Sequence, residues 1–406
     1  MLSLEEDFKR FVEYENYDES QLHPLKDLNR YYEAYKKSMK GSSWKPEPQR
    51  FEGLFLFEIR RLRKDITNHT YVTTKGTEFV LNERGHLRYI HGGRMRDRVV
   101  RHLLCDDILN PILKPYLIHN NGASQKGKGM TFARDMFVQD LHNYYLEHGN
   151  NKGYIGFVDF SKFYDNIRHE KVKEAIFPKI DEESKWLLSE VLKSFEVDIS
   201  YLSEVEAEGY INEKFNSIEY HEQIRGKKLT GEIMMPKSVD IGDQVSQTIG
   251  IFFPTYVDNY VKIVRGIKRY GRYMDDMYII GETKEEVQDI IDGIRECAKT
   301  LGLFVNDKKT YICKLSDNYT YLQVKYYLDD NGKVVQRINP KSVTRERRKL
   351  KKYKGLVEQD IMPYDDAVQA YKSWMGAYTR MMSKQQIKNM KKLFIELFGE
   401  DVRWKK

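Results

Sequence analysis

Cysteine is scarce, and what there is does not form a pattern. Cys105, Cys297 and Cys313 are scattered without a CxxC pair, which argues against a disulfide framework and a thiolate zinc site and predicts a reducing, intracellular setting. None of the ten histidines belongs to a metal-type cluster or pairs with a Ser or Cys nucleophile, and no GxxxxGK[ST] loop occurs, so histidine-metal chemistry, triad hydrolysis and a Walker nucleotide site are set aside. Long apolar runs are missing as well. The longest near the centre, "IGIFFPTYV", is far too short to cross a bilayer, and the start, "MLSLEEDFKRF", lacks a basic-then-apolar signal pattern. A cytoplasmic location without membrane contact is expected. Internal repeats and low-complexity linkers are also lacking.

What is present is a chain of 406 residues, 40% hydrophobic and 32% charged, enough to fill two or three lobes. The net charge of +7 is modest, but Lys and Arg are concentrated in particular stretches, which points to a polyanionic partner. Residues 1–50 read as a charged helical extension ending in Gly-Ser-Ser. Residues 51–150 read as a helix, a hairpin around "NERGHLRYIHGG" and the periodic helix "RMRDRVVRHLLCDDILNPILKPYL". "GYIGFVDFSKFYDNI" reads as a buried strand leading into a helix. The polar segment 196–236 predicts hairpin and loop, 241–265 a helix, 268–281 a strand–turn–strand unit, and 283–301 an amphipathic helix. Beyond about 335 the chain is helical and basic. Interleaved elements between helical ends predict an α+β core.

The stretch "YGRYMDDMYII" poses a physical problem. Asp275 and Asp276 repel one another between two apolar strands, and burial would worsen the repulsion. An Asp-Asp pair often marks nothing more than a solvated turn. Asp159, however, ends the apolar strand "YIGFVD" far upstream. If the strands are neighbours, three carboxylates converge on a site for hard divalent cations, with Mg²⁺ the expected ion and Mn²⁺ a substitute. Two such ions could activate an attacking hydroxyl and stabilise a leaving pyrophosphate.

"YMDD" between apolar strands resembles the most diagnostic motif of reverse transcriptases, and other motifs follow in the family's order. "FVDFSKFYDNI" resembles the first aspartate motif, "IGDQVSQ" the helix-starting motif of the dNTP site, "LGLFVNDKKT" the next helix-to-strand motif, and "YTYLQVKYYL" the primer-grip hairpin. "HLRYIHGGRMRDRVVRHLLCDDILNPILKPYL" is similar to the fingers of bacterial reverse transcriptases and "AVQAYKSWMGAYTRM" to the end of their thumb. The resemblance spans roughly residues 25–398. It implies a right-hand polymerase fold with fingers at 51–150, an antiparallel-sheet palm at 151–330 carrying an insertion at about 196–236, and a helical thumb at 331–406.

The resemblance also implies site roles. Asp159, Asp275 and Asp276 are the catalytic metal-binding acids, with Asp159 and Asp275 bridging the ions, Asp276 an outer ligand and the Phe160 carbonyl a further one. Tyr164 is the ring that excludes a ribose 2′-OH, although aromatic core packing would give the same letter. Arg88 contacts the incoming triphosphate, or is a solvated hairpin arginine. Gly242, Ser246 and Gln247 lie beside the nascent base pair, or simply begin a helix. Lys309 approaches the triphosphate, or caps a helix end. Lys128 in "QKGKGM" holds template or triphosphate phosphate. Arg345, Arg348, Lys349 and Lys352, part of a basic run, track a nucleic-acid backbone, or form a solvated face.

The form "IGxxxSQ" is similar to the reverse transcriptases of diversity-generating retroelements. That resemblance implies error-prone cDNA synthesis from an RNA template with a DNA or RNA primer, dNTPs and a small helical accessory protein. A phage-defence enzyme acting with a structured noncoding RNA, or an RNA-binding scaffold that no longer polymerises, is the alternative. Three departures from the family pattern stand out: the long 196–236 segment, Gln125 where Arg is usual, and Leu322-Gln323 where Leu-Gly is expected.

Overall fold

The computed structural model describes residues 4–14, 23–83 and 85–399. Parts of the expected N-terminal extension (1–3 and 15–22) and thumb (400–406) lie outside the described residues.

Helices Leu4–Tyr14, Leu28–Met39, Pro46–Gly53 and Phe55–Thr67 come first. Asp27 starts the second by accepting from the Asn29 N–H, the usual remedy for a helix end's unpaired donors. That helix buries Leu28, Tyr31, Ala34 and Tyr35 at helical spacing. The hairpin of β1 (Thr77–Glu83) and β2 (His86–Gly92) follows, with Phe79, Val80, Leu81 and Leu87 exposed, so the arm stands clear of the core. Helices Met95–Leu104 and Met130–His148 lead to β3 (Tyr154–Val158).

Residues 196–236 differ from the expected hairpin and loop. The short strands β4 (Val197–Asp198) and β5 (Met234–Met235) enclose helices Glu204–Asn212 and Ser217–Gln223, the first begun by a capping box of Ser203 and Glu206. Ile199, Ala207, Phe215, Tyr220 and Met235 form a separate small core. Its apolar residues are so diluted by charge that no helical period stands out in the sequence.

Next come β6 (Tyr270–Tyr273), β7 (Asp276–Gly281) and β8 (Tyr311–Lys314), which join β3 in an antiparallel sheet of order β6-β7-β3-β8. Alternate β3 residues enter different cores: Val158 faces the cluster shared with the N-terminal helices, Ile155 and Phe157 the opposite one. A strand buried on both faces reads as continuously apolar, as "YIGFV" does. Helix Lys284–Thr300 lies on one face so closely that a Cβ at Gly156 would meet Val287 Cγ1 at 2.6 Å. The helix expected over 241–265 is broken: Gln244–Phe252 ends before Pro254, and Thr255–Asn259 begins after it. Finally β9 (Tyr319–Tyr321), β10 (Val324–Leu328) and β11 (Val334–Ile338) form a second sheet, ahead of helices Pro340–Glu358, Tyr364–Tyr378 and Lys384–Phe398.

Candidate active site

The antiparallel register brings the three acids together. Val158 pairs with Met277 across β3 and β7, so Asp159 and Asp276 leave the sheet side by side. Tyr273 pairs with Asp276, leaving Met274-Asp275 as a two-residue turn in which Met274 takes a left-handed φ of 57°. All three acids line one cleft of about 910 Å³. Burial, then repulsion from Asp276 and Asp159, raises the Asp275 carboxyl to about 7. Burial, then repulsion from Asp159, raises the Asp276 carboxyl to about 6. Asp276 touches water inside the cleft, but the walls around it are dense enough to penalise its charge. Strand register places Asp276 beside Asp159, and Asp275, the residue expected to bridge the ions with Asp159, lines the same cleft from the turn.

Two further residues hold Asp159, and sequence reasoning gave only one of them a role. Lys309 Nζ donates to Asp159 Oδ1 at 3.0 Å. Burial pulls the ammonium's pKa down, but the Asp159 hydrogen bond and the surrounding carboxylates raise it above its ordinary value. Asn306 was missed: its Nδ2 donates to Asp159 Oδ2 at 3.0 Å and its backbone N–H to the Asp159 carbonyl at 2.8 Å. The signal was there in "VNDKK", three residues before Lys309. Among the described residues no group of three or more His, Cys, Asp and Glu side chains already stands as a cage for a metal ion. The donor chemistry nevertheless fits a hard divalent cation: oxygen ligands, with more negative charge than the one ammonium beside them offsets.

The cleft walls gather several of the expected dNTP residues. Arg88, Tyr164, Gly242, Gln247 and Lys309 all line it. The Tyr164 hydroxyl lies 3.9 Å from Met274 Sδ, and a Cβ at Gly250 would come within 3.1 Å of that hydroxyl, so the ring is wedged between the turn and helix Gln244–Phe252. Arg88 pairs with Glu83 at 3.2 Å and is about half exposed. Gly242 has φ 94° with open space where a Cβ would be, a backbone state that disfavours other residues. Gln247 accepts from Ser124 Oγ at 3.4 Å. Ser246 is not brought into the cleft: it is fully buried, and its Oγ lacks a hydrogen-bond partner.

Other expected residues sit elsewhere. Lys128 Nζ donates to the carbonyls of His119 (2.7 Å) and Asn121 (3.3 Å) and lies over the Phe132 ring, so it braces its own loop rather than the cleft. Gln125 donates to the Asn121 carbonyl at 2.7 Å and braces the same loop. The Phe160 ring is buried against Phe163. The neighbouring bridge uses Ser161 N–H with Phe304 O and Asn306 N–H with Asp159 O, leaving the Phe160 carbonyl out of the exchange. On helix Pro340–Glu358, Ser342, Glu346 and Leu350 face inward, and Arg345, Arg348, Lys349 and Lys352 are exposed.

Two buried arrangements support the cleft. Behind the turn, Arg272 and Asp258 are both wholly buried and doubly bonded (Nε–Oδ1 2.9 Å, Nη2–Oδ2 2.6 Å). The same guanidinium donates to the carbonyls of Met274 (3.1 Å) and Ile251 (2.8 Å), tying the acidic turn to the neighbouring helix. At the cleft's far wall, Leu322 and Gln323 join β9 to β10 with φ of 42° and 70°. Both central residues are left-handed, the turn that most favours Asn-Gly, and Arg134 Nε donates to the Leu322 carbonyl at 3.1 Å. The departure from Leu-Gly is therefore a strained turn held by a buried arginine.

A family model described as reverse transcriptase (RNA-dependent DNA polymerase) matches residues 85–326, more than half of the chain. No curated protein matches. Among solved structures, telomerase from Candida albicans in complex with a fragment of telomeric RNA is similar at 11% identity and a TM-score of 0.40, over 80% of this chain and 59% of that one. This chain thus spans less than two thirds of the telomerase chain. No helix among the described residues is long and apolar enough to cross a membrane.

Proposed function

Because this chain belongs to the reverse transcriptase family of RNA-directed DNA polymerases, with a right-hand polymerase fold, we propose that the cleft built on Asp159, Asp275 and Asp276 extends a primer along an RNA template by two-metal nucleotidyl transfer. The observation that carries this reading is the convergence at one sheet end of Asp159 with Asp275 and Asp276, 116 and 117 residues further on, the latter two raised in pKa by burial first and by neighbouring carboxylates second. Asp159, Asp275 and Asp276, with the Phe160 carbonyl as a further oxygen, would hold divalent cations such as Mg²⁺, which when bound would activate the primer hydroxyl and neutralise charge on the departing pyrophosphate.

The chain's own groups do the rest. Lys309, exposed at the cleft and bonded to Asp159, is placed to offer its ammonium to a triphosphate oxygen. Arg88 offers a planar guanidinium to the same phosphates from the hairpin arm. Tyr164, wedged against Met274 and Gly250, occupies the sugar side, where a rigid ring rejects an added hydroxyl by collision. Gly242 and Gln247 line the base-pair side. In this reading residues 51–150 are the fingers, 151–330 the palm and 331–406 the thumb, whose exposed Arg345, Arg348, Lys349 and Lys352 meet the phosphates of the RNA–DNA hybrid.

The motif "IGDQVSQ" supports the diversity-generating type, with a small accessory protein as partner. The long 196–236 segment departs from that type, and the second reading is a defence enzyme working with a structured noncoding RNA. Primer extension on an RNA template with single dNTPs, with Mg²⁺ or with chelator, tests the shared chemistry. Extension that requires the divalent ion and vanishes in Asp159→Asn supports the proposal. Binding of RNA without any extension by the unaltered protein would leave only a scaffold. Misincorporation concentrated opposite template adenines separates the retroelement type from an accurate copier.

A further inference from the structure

The segment between β4 and β5 contacts the immediate chain neighbours of two cleft-lining residues, Tyr164 and Arg88. Its own rigidity comes from the small core of Phe215, Tyr220 and Met235, with the Tyr220 hydroxyl donating to the Asp198 carbonyl at 2.5 Å. Toward the palm it grips the turn immediately after Tyr164. Asn166 exchanges two hydrogen bonds with the Phe215 backbone (2.8 and 3.1 Å), and Asp165 accepts from the Ser217 N–H (3.0 Å) and Oγ (3.1 Å). Toward the hairpin arm, the His221 ring stacks on Tyr89 with centroids 3.2 Å apart and planes 17° from parallel. His221 is itself set edge-on against Tyr220 of the small core.

Strand alternation makes this contact consequential. Tyr89 follows Arg88 on β2, so the two side chains leave opposite faces of the hairpin: Arg88 enters the cleft and Tyr89 meets the insertion. The hairpin has few other supports, since Phe79, Val80, Leu81 and Leu87 are exposed and the next tie, His91 Nδ1 to Asp240 Oδ2 at 2.6 Å, lies at its base. An arm carrying a triphosphate ligand on a largely solvated ribbon needs a lateral stop, and the insertion provides one.

We propose that residues 197–235 act as a strut between the Tyr164 turn and the hairpin arm, with His221 as its positioning residue, so that the stack on Tyr89 sets the reach of Arg88 to a deoxynucleoside triphosphate. This rests on the polymerase reading for its kinetic consequence but not for its structural one. In full-length protein that extends a primer, His221→Ala raises the dNTP KM about three- to tenfold, the range a lost ring pair carries. It leaves kcat within about twofold and primer–template Kd unchanged. His221→Phe, which keeps the ring, restores the KM. Independently of activity, His221→Ala speeds amide hydrogen exchange across residues 77–92 in nucleotide-free protein. Tyr89→Ala, which spares the insertion's core, gives the same exchange result and guards against local unfolding of the insertion. Unchanged exchange in both variants overturns the strut. An unchanged dNTP KM in active protein, or equal impairment by Ala and Phe, overturns the role of the stack. If the unaltered protein does not extend primers, the function reading fails and the exchange arm still decides the strut.

Discussion

Replacing Asp275 by Asn should make the metal-free protein more stable, by an amount that grows from about pH 4 and levels off above about pH 7. The side chain keeps its shape and loses a charge that burial and its neighbours Asp276 and Asp159 oppose. A folded-state pKa raised from 3.8 to about 7 means the folded protein holds a proton that the unfolded chain has released over that interval. Stability is therefore fully retained below about pH 4 and lost as pH rises through 7. A shift of that size corresponds to roughly 4 kcal/mol for a sealed site. The cleft is open and Asp275 only half-buried, so solvent screening reduces the expected gain for Asn to about 1–2 kcal/mol. Urea unfolding in chelator at pH 8, 6 and 4.5 measures it: the variant should lead at pH 8, and the lead should shrink steadily with acid. Adding Mg²⁺ at pH 8 should stabilise the unaltered protein by mass action and the variant much less. A variant that is less stable at pH 8, or whose gain is the same at every pH, would refute clustering of the three carboxylates.

Gln323→Gly should stabilise the β9–β10 turn by about 0.5–1 kcal/mol, since relief of a left-handed side chain outweighs the added freedom of the unfolded chain; a loss in urea midpoint would show that φ of 70° is not strained here. Asp258→Ala leaves the Arg272 guanidinium buried without its carboxylate and should cost about 3–5 kcal/mol, whereas removing Glu296 from its exposed pair with Lys299 should cost under about 1 kcal/mol. Neutralising Arg345, Arg348, Lys349 and Lys352 together should lower the slope of log affinity against log salt for an RNA–DNA hybrid by about 3, at roughly 0.7–0.9 per phosphate contact; an unchanged slope places the hybrid on another face.

Local pattern carried much of the architecture. Short, almost continuously apolar runs in "YIGFVD" and around "YMDD" mark strands that are buried on both faces, and β3, β6 and β7 lie within the spans read from them. The helix Lys284–Thr300 matches its apolar period almost residue for residue. The insertion was misread because its two short helices have too few apolar residues, among too many charges, to display a period. Pro254 inside an apolar run was read through, although a missing donor should have ended the helix there.

Side-chain periodicity and the chemistry of Asp, Arg and Tyr are properties of neighbouring residues, so strands, the acidic turn and the identity of the three acids could be read before any coordinates. Which acid stands beside Asp159, that Ser246 turns inward while Gln247 opens to the cleft, that Lys128 braces its own loop, and that His221 meets Tyr89 depend on register and packing between segments far apart in the chain. A one-residue change of register exchanges the two faces of a strand without altering its composition, and for that reason only the folded chain could decide them.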